Sequence, residues 1–186
     1  IMRAGERAVT LTRQLMTLGG RQPVQKELID ASQAVGEMEP TLRKLIGSEV
    51  ELVLRLDRGA GRIRADRGQL EHVVMNLAAN AWEAMPNGGR LTIEVAAVTF
   101  DEAEAKYWPS MRTGRYIRLS VTDTGYGMDA ETLYHIFEPF FTTKRNRQKA
   151  GLGLATVYGI IKQNDGFVWP YSEPGRGTTF KIYLPV

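Results

Sequence analysis

The sequence predicts an α/β protein: a two-layer sandwich in which helices cover one face of a mixed sheet, with one further helix at the N-terminus. Segments that alternate apolar and polar residues, as half-buried strands do, occur between segments with helical spacing of apolar residues. The chain also closes with two strand-like segments around a turn at 173–177. With 186 residues, 43% of them hydrophobic, it can form one packed core and an appendage.

The first predicted element is a helix with a coiled-coil-like seam, which Gly19, Gly20 and Pro23 bring to an end. The apolar residues of the seam, at steps of three and four, are Ala8, Leu11, Leu15 and Leu18. A helix of this length cannot bury its seam alone, so we expect a partner helix. We therefore separate residues 1–22 from a main domain at 23–186.

The main domain begins with short elements. Strands are predicted at 24–30, 49–57 and 61–66. Between the first two, residues 31–47 predict one helix, which is kinked near Pro40 and ended by Gly47.

A long helix follows, and Asp66 is its predicted N-cap, with Gln69 in the capping-box position. Its buried face should consist of Leu70, Val73, Val74, Leu77 and Ala81. The sequence PNGG at 86–89 ends it. The remaining predicted elements are strands at 90–100 and 116–123, a helix at 151–166, and closing strands at 167–172 and 178–186.

Composition excludes several classes of site. The chain has no cysteine, and therefore no disulfide, thiol nucleophile or thiolate metal site. No apolar run approaches the roughly 20 residues of a membrane helix, and no secretory signal is visible. The net charge of +3 is too small to indicate a nucleic-acid partner. Basic residues are concentrated at 142–149, which is either a solvated loop or an anion-facing flap.

Two asparagines mark the long helix. Asn76 and Asn80 are four residues apart and so lie on one face. Either both side chains make hydrogen bonds within the packing of the helix, or they form a face that binds a metal or a phosphate. An asparagine carbonyl is a hard oxygen ligand that suits Mg²⁺, which also keeps waters and phosphate oxygens as ligands.

The sequence DTGYGM at 123–128 follows a predicted strand. Asp123 is expected to be buried, and a buried carboxylate needs hydrogen-bond donors, for which an exocyclic amine on a flat heterocycle is suitable. Gly125 and Gly127 remove side chains where the backbone turns close to a ligand. Asp-Thr-Gly also occurs in ordinary turns and in aspartic proteases, but a protease would need a second such motif or a symmetric partner.

A third motif is the glycine-opened helix at 151–166. Gly151 and Gly153 expose backbone N–H groups at the positive end of the helix dipole, a site that suits an anion. No Gly-Lys-Ser/Thr follows, so this is not a Walker loop. It does not follow a strand early in a βαβ unit, so it is not a Rossmann fingerprint.

Taken in order, these motifs resemble the ATP-binding catalytic domain of sensor histidine kinases, within the superfamily of gyrase, heat-shock chaperone and mismatch-repair ATPases. NLAANAWEAMPNGG resembles the N box, DTGYGM the G1 box, IFEPFFTTK the F box and GLGLATVYGI the G2 box. SEPGRGTTFKIYLP is similar to the closing strand pair of the kinases. The resemblance covers about residues 5–186 and implies a Bergerat-type ATP-binding fold.

The resemblance implies the following roles at the base. Asp123 would recognise the adenine amine, and Thr178 would line the adenine pocket. Gly125 and Gly127 would let the backbone pass under the base and begin a lid. The metal ligand would be Asn80, which coordinates Mg²⁺ across the phosphates.

The resemblance also implies a lid. Phe137 and Phe140 would anchor it to the body. Phosphate contacts would come from Gly151, Leu152, Gly153 and Leu154. Lys144, Arg145 and Arg147 are candidates for triphosphate contacts.

Asn76 bears on the reaction. Hydrolases of the superfamily have a glutamate at this position to activate water, and asparagine cannot act as a base. We therefore expect a phosphotransferase in which Mg²⁺ and the lid position the γ-phosphoryl group, with Asn76 and Asn80 as the catalytic asparagines.

The acceptor histidine should lie elsewhere. Neither His72 nor His135 begins the family's phosphoacceptor pattern. Residues 1–22 resemble the second helix of the dimerisation hairpin, whose first helix would lie upstream. We expect ATP binding without self-phosphorylation by this chain, a homodimer through that helix, a response-regulator receiver domain as partner, and a cytoplasmic location.

The sequence departs from the family pattern at two places. Lys149 replaces a glycine of the G2 box and Ala150 follows it, which favours a stiffer, more basic lid end. Glu83 occupies a position where some members have a lysine. Two alternatives are a nucleotide-binding scaffold without transfer activity, and a superfamily ATPase.

Overall fold

A computed structural model describes residues 25–101, 112–143 and 151–186 of the chain. The strands are β1 (Glu27–Asp30), β2 (Val50–Leu56), β3 (Arg62–Ala65), β4 (Gly89–Phe100), β5 (Gly114–Asp123), β6 (Phe167–Glu173) and β7 (Gly177–Pro185). The helices are α1 (Ala31–Glu37), α2 (Glu39–Ile46), α3 (Arg67–Ala84), α4 (Ala130–His135) and α5 (Gly153–Gln163). The predicted helix at the N-terminus and the basic residues Lys144, Arg145 and Arg147 lie outside the described residues.

The main sheet is mixed, as predicted. Its five strands are arranged in the order β2-β4-β5-β7-β6, with β2 parallel to β4 and all other neighbours antiparallel. A separate antiparallel pair, β1 and β3, forms a small second sheet. Strand β5 lies at the centre of the main sheet, so its C-terminal residue, Asp123, ends beside both β4 and β7.

The alternation of side chains separates the two faces of the sheet. Along β7, Phe180, Ile182 and Leu184 are buried, and the residues between them are only partly covered. This buried face packs in one core with the apolar stripe of α3, where Val73 and Val74 are fully enclosed. The opposite face carries exposed ion pairs between β2 and β4. Helices therefore cover one face only, which confirms the two-layer prediction.

The segment 31–47 differs from its prediction. It forms two helices, because α1 ends at Glu37 and a new helix begins with Pro40 in its first turn. Proline lacks an N–H and fits the start of a helix, where no intrahelical acceptor is needed. Gly47 ends α2 with a φ of 72°, as the sequence predicted for this glycine.

Asp66 caps α3 as predicted, since its side chain accepts a hydrogen bond from the Gln69 backbone N–H at 3.0 Å. The Gln69 side chain instead reaches α5, where its amide meets Gln163 at 3.4 Å and Asn164 at 3.3 Å. The capping box is therefore replaced by a link between the start of α3 and the end of α5. Among the described residues, no helix has the length and apolarity needed to cross a membrane.

Candidate functional site

The site is organised around Asp123, which ends β5 and is only 6% exposed. In the sheet it lies between Leu91 of β4 and Thr178 of β7. One of its oxygens, Oδ1, accepts a hydrogen bond from the Gly125 backbone N–H at 2.8 Å and another from the Thr178 backbone N–H at 3.2 Å. The fold thus holds one oxygen of the carboxylate with two backbone donors.

The electrostatics of Asp123 follow from this burial. Burial raises the pKa of its carboxyl, and the backbone hydrogen bonds from Gly125 and Thr178 partly oppose that shift by favouring the charged form. No described residue donates a hydrogen bond to the second oxygen, Oδ2. A buried carboxylate with one unused oxygen is suited to accept a hydrogen bond from a ligand.

Close backbone contacts within the fold require glycine at 125 and 127, and their predicted closeness to a ligand stays a prediction. A Cβ on Gly125 would lie 2.6 Å from the backbone oxygen of Ala84, at the end of α3. Gly127 has a φ of 68°, and a Cβ there would lie 2.0 Å from the backbone oxygen of Glu173. The glycines therefore let the DTGYGM turn pack against α3 on one side and the β6–β7 hairpin on the other. This packing fixes the position of Asp123.

The two asparagines lie on one face of α3, as their spacing predicted, and both are half-buried. The amide of Asn76 donates to the backbone oxygen of His72 at 2.9 Å. Its oxygen faces the start of α5, since a Cβ on Gly153 would lie 3.0 Å from Asn76 Oδ1. For the side-chain amide of Asn80, the described residues supply no hydrogen-bond partner.

The start of α5 supplies backbone donors. Leu152 precedes the helix, and no side chain caps it. Leu152 is 2% exposed, so its side chain is closed off from a ligand, and the partly buried Leu154 packs against the core. Gly151 has a φ of 65°, and a Cβ there would meet the Phe140–Phe141 backbone within 2.8 Å. The uncapped N–H groups therefore open beside the Asn76 oxygen.

Of the two phenylalanines predicted to anchor the lid, Phe137 packs inward and Phe140 does not. The ring of Phe137 contacts Tyr158 at a centroid distance of 5.3 Å and Phe180 at 6.4 Å. Phe140 is 59% exposed and has a φ of 69°. Phe141 packs against the core instead. The expectation for the Phe140 side chain is therefore wrong, and this residue contacts Gly151 through its backbone instead.

That backbone contact is a hydrogen bond from the Phe140 N–H to the Gly151 oxygen, at 3.0 Å. It joins the residues on either side of the segment that includes the basic residues 144–149. Those residues lie outside the described part of the chain, so their predicted phosphate contacts stay predictions.

The structure adds Ser172, which sequence reasoning missed. Ser172 lies on β6 directly opposite Thr178, and its Oγ contacts the Thr178 hydroxyl at 2.9 Å. It also accepts a hydrogen bond from the Met128 N–H at 2.8 Å. Counting residues outward from the hairpin turn would have paired Ser172 with Thr178, which is the one signal in the sequence that could have found it.

The two histidines are also placed. His72 is half-buried inside α3, and burial lowers its pKa. The Nδ1 of His135 lies 2.7 Å from Glu138 Oε1, at the end of α4. The contact of His135 is local to its own segment.

The profile of the family described as histidine kinase-, DNA gyrase B-, and HSP90-like ATPase matches residues 65–186. The chain belongs to this family. The matched range begins just before α3 and therefore contains both asparagines, Asp123 and the start of α5. The predicted superfamily is confirmed, and with it an ATPase-type domain.

Named relatives of the chain are sensor kinases. It is 41% identical to the sensor kinase CckA of Brucella abortus (strain 2308) over 185 residues, which are 100% of this chain and 20% of the relative. It is 36% identical to the sensor histidine kinase ZraS of Escherichia coli (strain K12) over 138 residues, which are 74% of this chain and 26% of the relative. The chain thus spans about a fifth to a quarter of these proteins.

Solved structures support the same class. The catalytic domain of histidine kinase ThkA matches with a TM-score of 0.63 and 26% identity, and the match covers 87% of this chain and 95% of that one. Full-length ShkA in complex with AMPPNP matches with a TM-score of 0.67 and 24% identity over 98% of this chain and 36% of that one, which shows a shared fold. The prediction of an ATP-binding catalytic domain of the sensor histidine kinase type is confirmed.

Proposed function

We propose that this chain binds ATP at Asp123 and that the full protein transfers the γ-phosphoryl group to a histidine outside residues 23–186. The observation that carries the proposal is that the two carboxylate oxygens of Asp123 differ in their hydrogen-bond partners. Backbone donors hold Oδ1, and Oδ2 is left to accept a hydrogen bond from the adenine amine. Thr178, which is 6% exposed, lies beside it as the second polar group of the pocket.

The residues fit a magnesium ion held mainly by the nucleotide. Among the described residues, no cluster of three or more histidine and carboxylate side chains could hold a metal by itself. Mg²⁺ characteristically takes few protein ligands, together with waters and phosphate oxygens. Asn80 offers a hard amide oxygen on the face of α3 that carries Asn76. When bound, the ion would neutralise charge on the phosphates during transfer.

The proposed position of the phosphates is between the start of α5 and the face of α3 that carries Asn76 and Asn80. The N–H groups at Gly153 and Leu154 and the Asn76 oxygen are adjacent there. Donors at a helix N-terminus favour an anion, and the helix dipole adds to the attraction. We assign the phosphate contacts to the backbone of residues 151–154. Lys144 and Arg145 are proposed as additional contacts.

Asn76 favours transfer over hydrolysis. An amide cannot take a proton from water at neutral pH, so α3 supplies no base at this position. Of the two acidic side chains on α3, Glu71 is five residues before Asn76 and pairs with Arg67 at 2.9 Å, and Glu83 is seven residues after Asn76. In the transfer, the bond between the γ-phosphorus and the bridging oxygen of ATP breaks, a phosphorus–nitrogen bond to the acceptor imidazole forms, and ADP leaves.

The acceptor is proposed to lie on a helix that pairs with residues 1–22 in a homodimer. His72 is half-buried within α3 and His135 is engaged by Glu138, and neither begins the family's phosphoacceptor pattern. The phosphohistidine would then supply a receiver-domain aspartate of a response regulator. A cytoplasmic location is part of the same proposal.

The test uses the full protein with γ-labelled ATP and Mg²⁺. We expect an acid-labile, base-stable label on the protein, lost in Asn80→Ala. The matched control is Gln33→Ala, which removes an exposed amide of α1 that bonds Glu37. Steady phosphate release without protein label would favour the ATPase alternative. Nucleotide-dependent stabilisation without label or release would favour the scaffold.

A further inference from the structure

Asn164, the residue that follows α5, uses only one end of its side-chain amide within the fold. The residue is 6% exposed. Its Nδ2 donates to the backbone oxygen of Ile160 at 2.8 Å and lies 3.3 Å from Gln69 Oε1. Its Oδ1 is buried and accepts no hydrogen bond from the described part of the chain. Because burying an acceptor without a donor is unfavourable, we expect a donor at this oxygen.

The neighbours of Asn164 fix the orientation of its amide. A backbone carbonyl can only accept, so the Ile160 oxygen requires a donor, and that donor is Nδ2. Exchanging the nitrogen and the oxygen would place Oδ1 against two acceptors, the Ile160 oxygen and Gln69 Oε1. Oδ1 is therefore the atom without a partner, and its donor has to come from another group.

A small cavity lies where the start of α3 meets the end of α5, and Asn164 forms part of its wall. Its volume is about 10 Å³, which is room for one water molecule. The other polar residue of the wall is Asp66, whose carboxylate accepts from the N–H groups of Gln69 at 3.0 Å and Gln25 at 3.2 Å. A carboxylate has about four lone-pair positions, so Asp66 can accept further hydrogen bonds. The apolar part of the wall comes mainly from the two helices: Leu70, Val73, Ile160 and Ile161.

We propose that this cavity binds one water molecule, which donates one proton to Asn164 Oδ1 and the other to the Asp66 carboxylate. Both polar groups of the wall accept hydrogen bonds, so the molecule between them must carry at least two protons that it can donate. The volume admits a single heavy atom, and water meets both conditions. A guest that only accepts, or an apolar one, would leave Oδ1 without a donor.

The water would connect the ends of the two helices that hold the candidate site. Asp66 caps α3, which carries Asn76, and Asn164 follows α5, whose first residue Gly153 faces the Asn76 oxygen. The cavity therefore lies at the end of the helix pair opposite the predicted phosphate contacts. Through the Gln25 N–H, Asp66 also joins this junction to the first described residue of the chain. The inference does not depend on whether the chain binds a nucleotide.

The test is a high-resolution crystal structure of the full chain. We expect a solvent peak within about 2.5–3.0 Å of both Asn164 Oδ1 and an Asp66 carboxylate oxygen. Asn164→Leu removes one of the two acceptors and should remove the peak. The matched control is Val74→Ile, which enlarges a fully buried valine of α3 that does not line the cavity, and the peak should remain there.

An empty cavity in the unmodified chain would overturn the inference, and so would a protein donor at Asn164 Oδ1. A peak with contacts as short as those of a bound metal ion would overturn the assignment to water. Should Asn164→Leu fail to fold, Val73→Ile serves instead, since it adds a methylene at the cavity wall. In solution, ¹⁷O relaxation dispersion counts long-lived internal waters. That count should fall by one in either cavity variant and stay constant in Val74→Ile, and an equal count in all of them would contradict the proposal.

Discussion

Asp123→Asn should weaken adenine-nucleotide binding while leaving the protein folded. The amide oxygen of asparagine can still accept the hydrogen bonds from the Gly125 and Thr178 N–H groups, which lie 2.8 and 3.2 Å from Oδ1. The amide nitrogen then takes the place of Oδ2. At that position a donor would face the donor of the adenine amine, so the substitution reverses one contact and keeps the other two.

The size of the effect follows from the contact that is lost. A hydrogen bond to a charged group contributes about 1.5–3 kcal/mol, and its loss corresponds to a dissociation constant about 10- to 150-fold larger. Stability should hold or increase, because the raised pKa of Asp123 means that the folded state disfavours the charged carboxylate relative to the unfolded chain. Asparagine carries no such charge.

Calorimetric titration with ATP measures the affinity, and urea denaturation measures the free energy of unfolding. The matched control is Asp30→Asn, because Asp30 caps α1 and asparagine caps equally well. A loss of affinity below about threefold in Asp123→Asn would refute the assignment of Oδ2 to the base. A large drop in stability would refute the assignment of Oδ1 to the fold and of Oδ2 to the ligand.

The pH dependence of ATP affinity and of stability provides a second test of the role of the Asp123 carboxylate. As the pH falls through the raised pKa, Asp123 takes up a proton and loses its free acceptor, so ATP affinity of the unmodified protein should fall in acid. Asp123→Asn should show no such dependence. For stability the sign is opposite: the folded state binds the proton more tightly, so the contribution of Asp123 is present below the unfolded pKa and is lost as the pH rises through the folded one.

Three further predictions concern the frame of the site. Gly125→Ala should destabilise the protein by about 1–3 kcal/mol in urea denaturation, because the added Cβ would lie 2.6 Å from the Ala84 backbone oxygen; an unchanged midpoint would contradict this packing. Phe140→Gly should raise the free energy of unfolding by up to about 1 kcal/mol, since it relieves a left-handed backbone at an exposed ring, and a loss larger than that would show that the ring anchors the lid. His72 has a pKa lowered by burial, so its stabilising contribution is present above the unfolded pKa of about 6.5 and is lost as the pH falls through the folded one. His72→Gln should therefore lose less stability in acid than the unmodified protein, as measured by denaturation at each pH.

Much of the frame could be predicted from local patterns. The alternation in β2, β4 and β7 and the apolar stripe of α3 each reflect burial on one side of a regular element, and such a pattern can be recognised in a single stretch of sequence. The Asp66 cap is equally local, since donor and acceptor are three residues apart. Predictions of this kind succeed because the deciding contact lies within one element.

The failures have a common physical origin in contacts between distant parts of the chain. Gln69 fits the capping-box position, but it reaches Gln163 and Asn164, which are more than 90 residues away. Phe140 and Phe141 are equally apolar neighbours, and only Phe141 packs against the core, where the fold brings distant parts of the chain together. No periodicity in the sequence contains that information.

The hydrogen-bonding groups that the pocket can offer a ligand are those that are not already engaged within the fold. Gly177, whose φ is 83° and whose Cβ would lie 2.1 Å from the Asp123 backbone oxygen, lets β7 approach closely enough for the Thr178 N–H to bond Oδ1. The same hairpin brings Ser172 Oγ within 2.9 Å of the Thr178 hydroxyl. The closure of the β6–β7 hairpin thus takes up one oxygen of the Asp123 carboxylate and leaves the other, Oδ2, without a donor among the described residues.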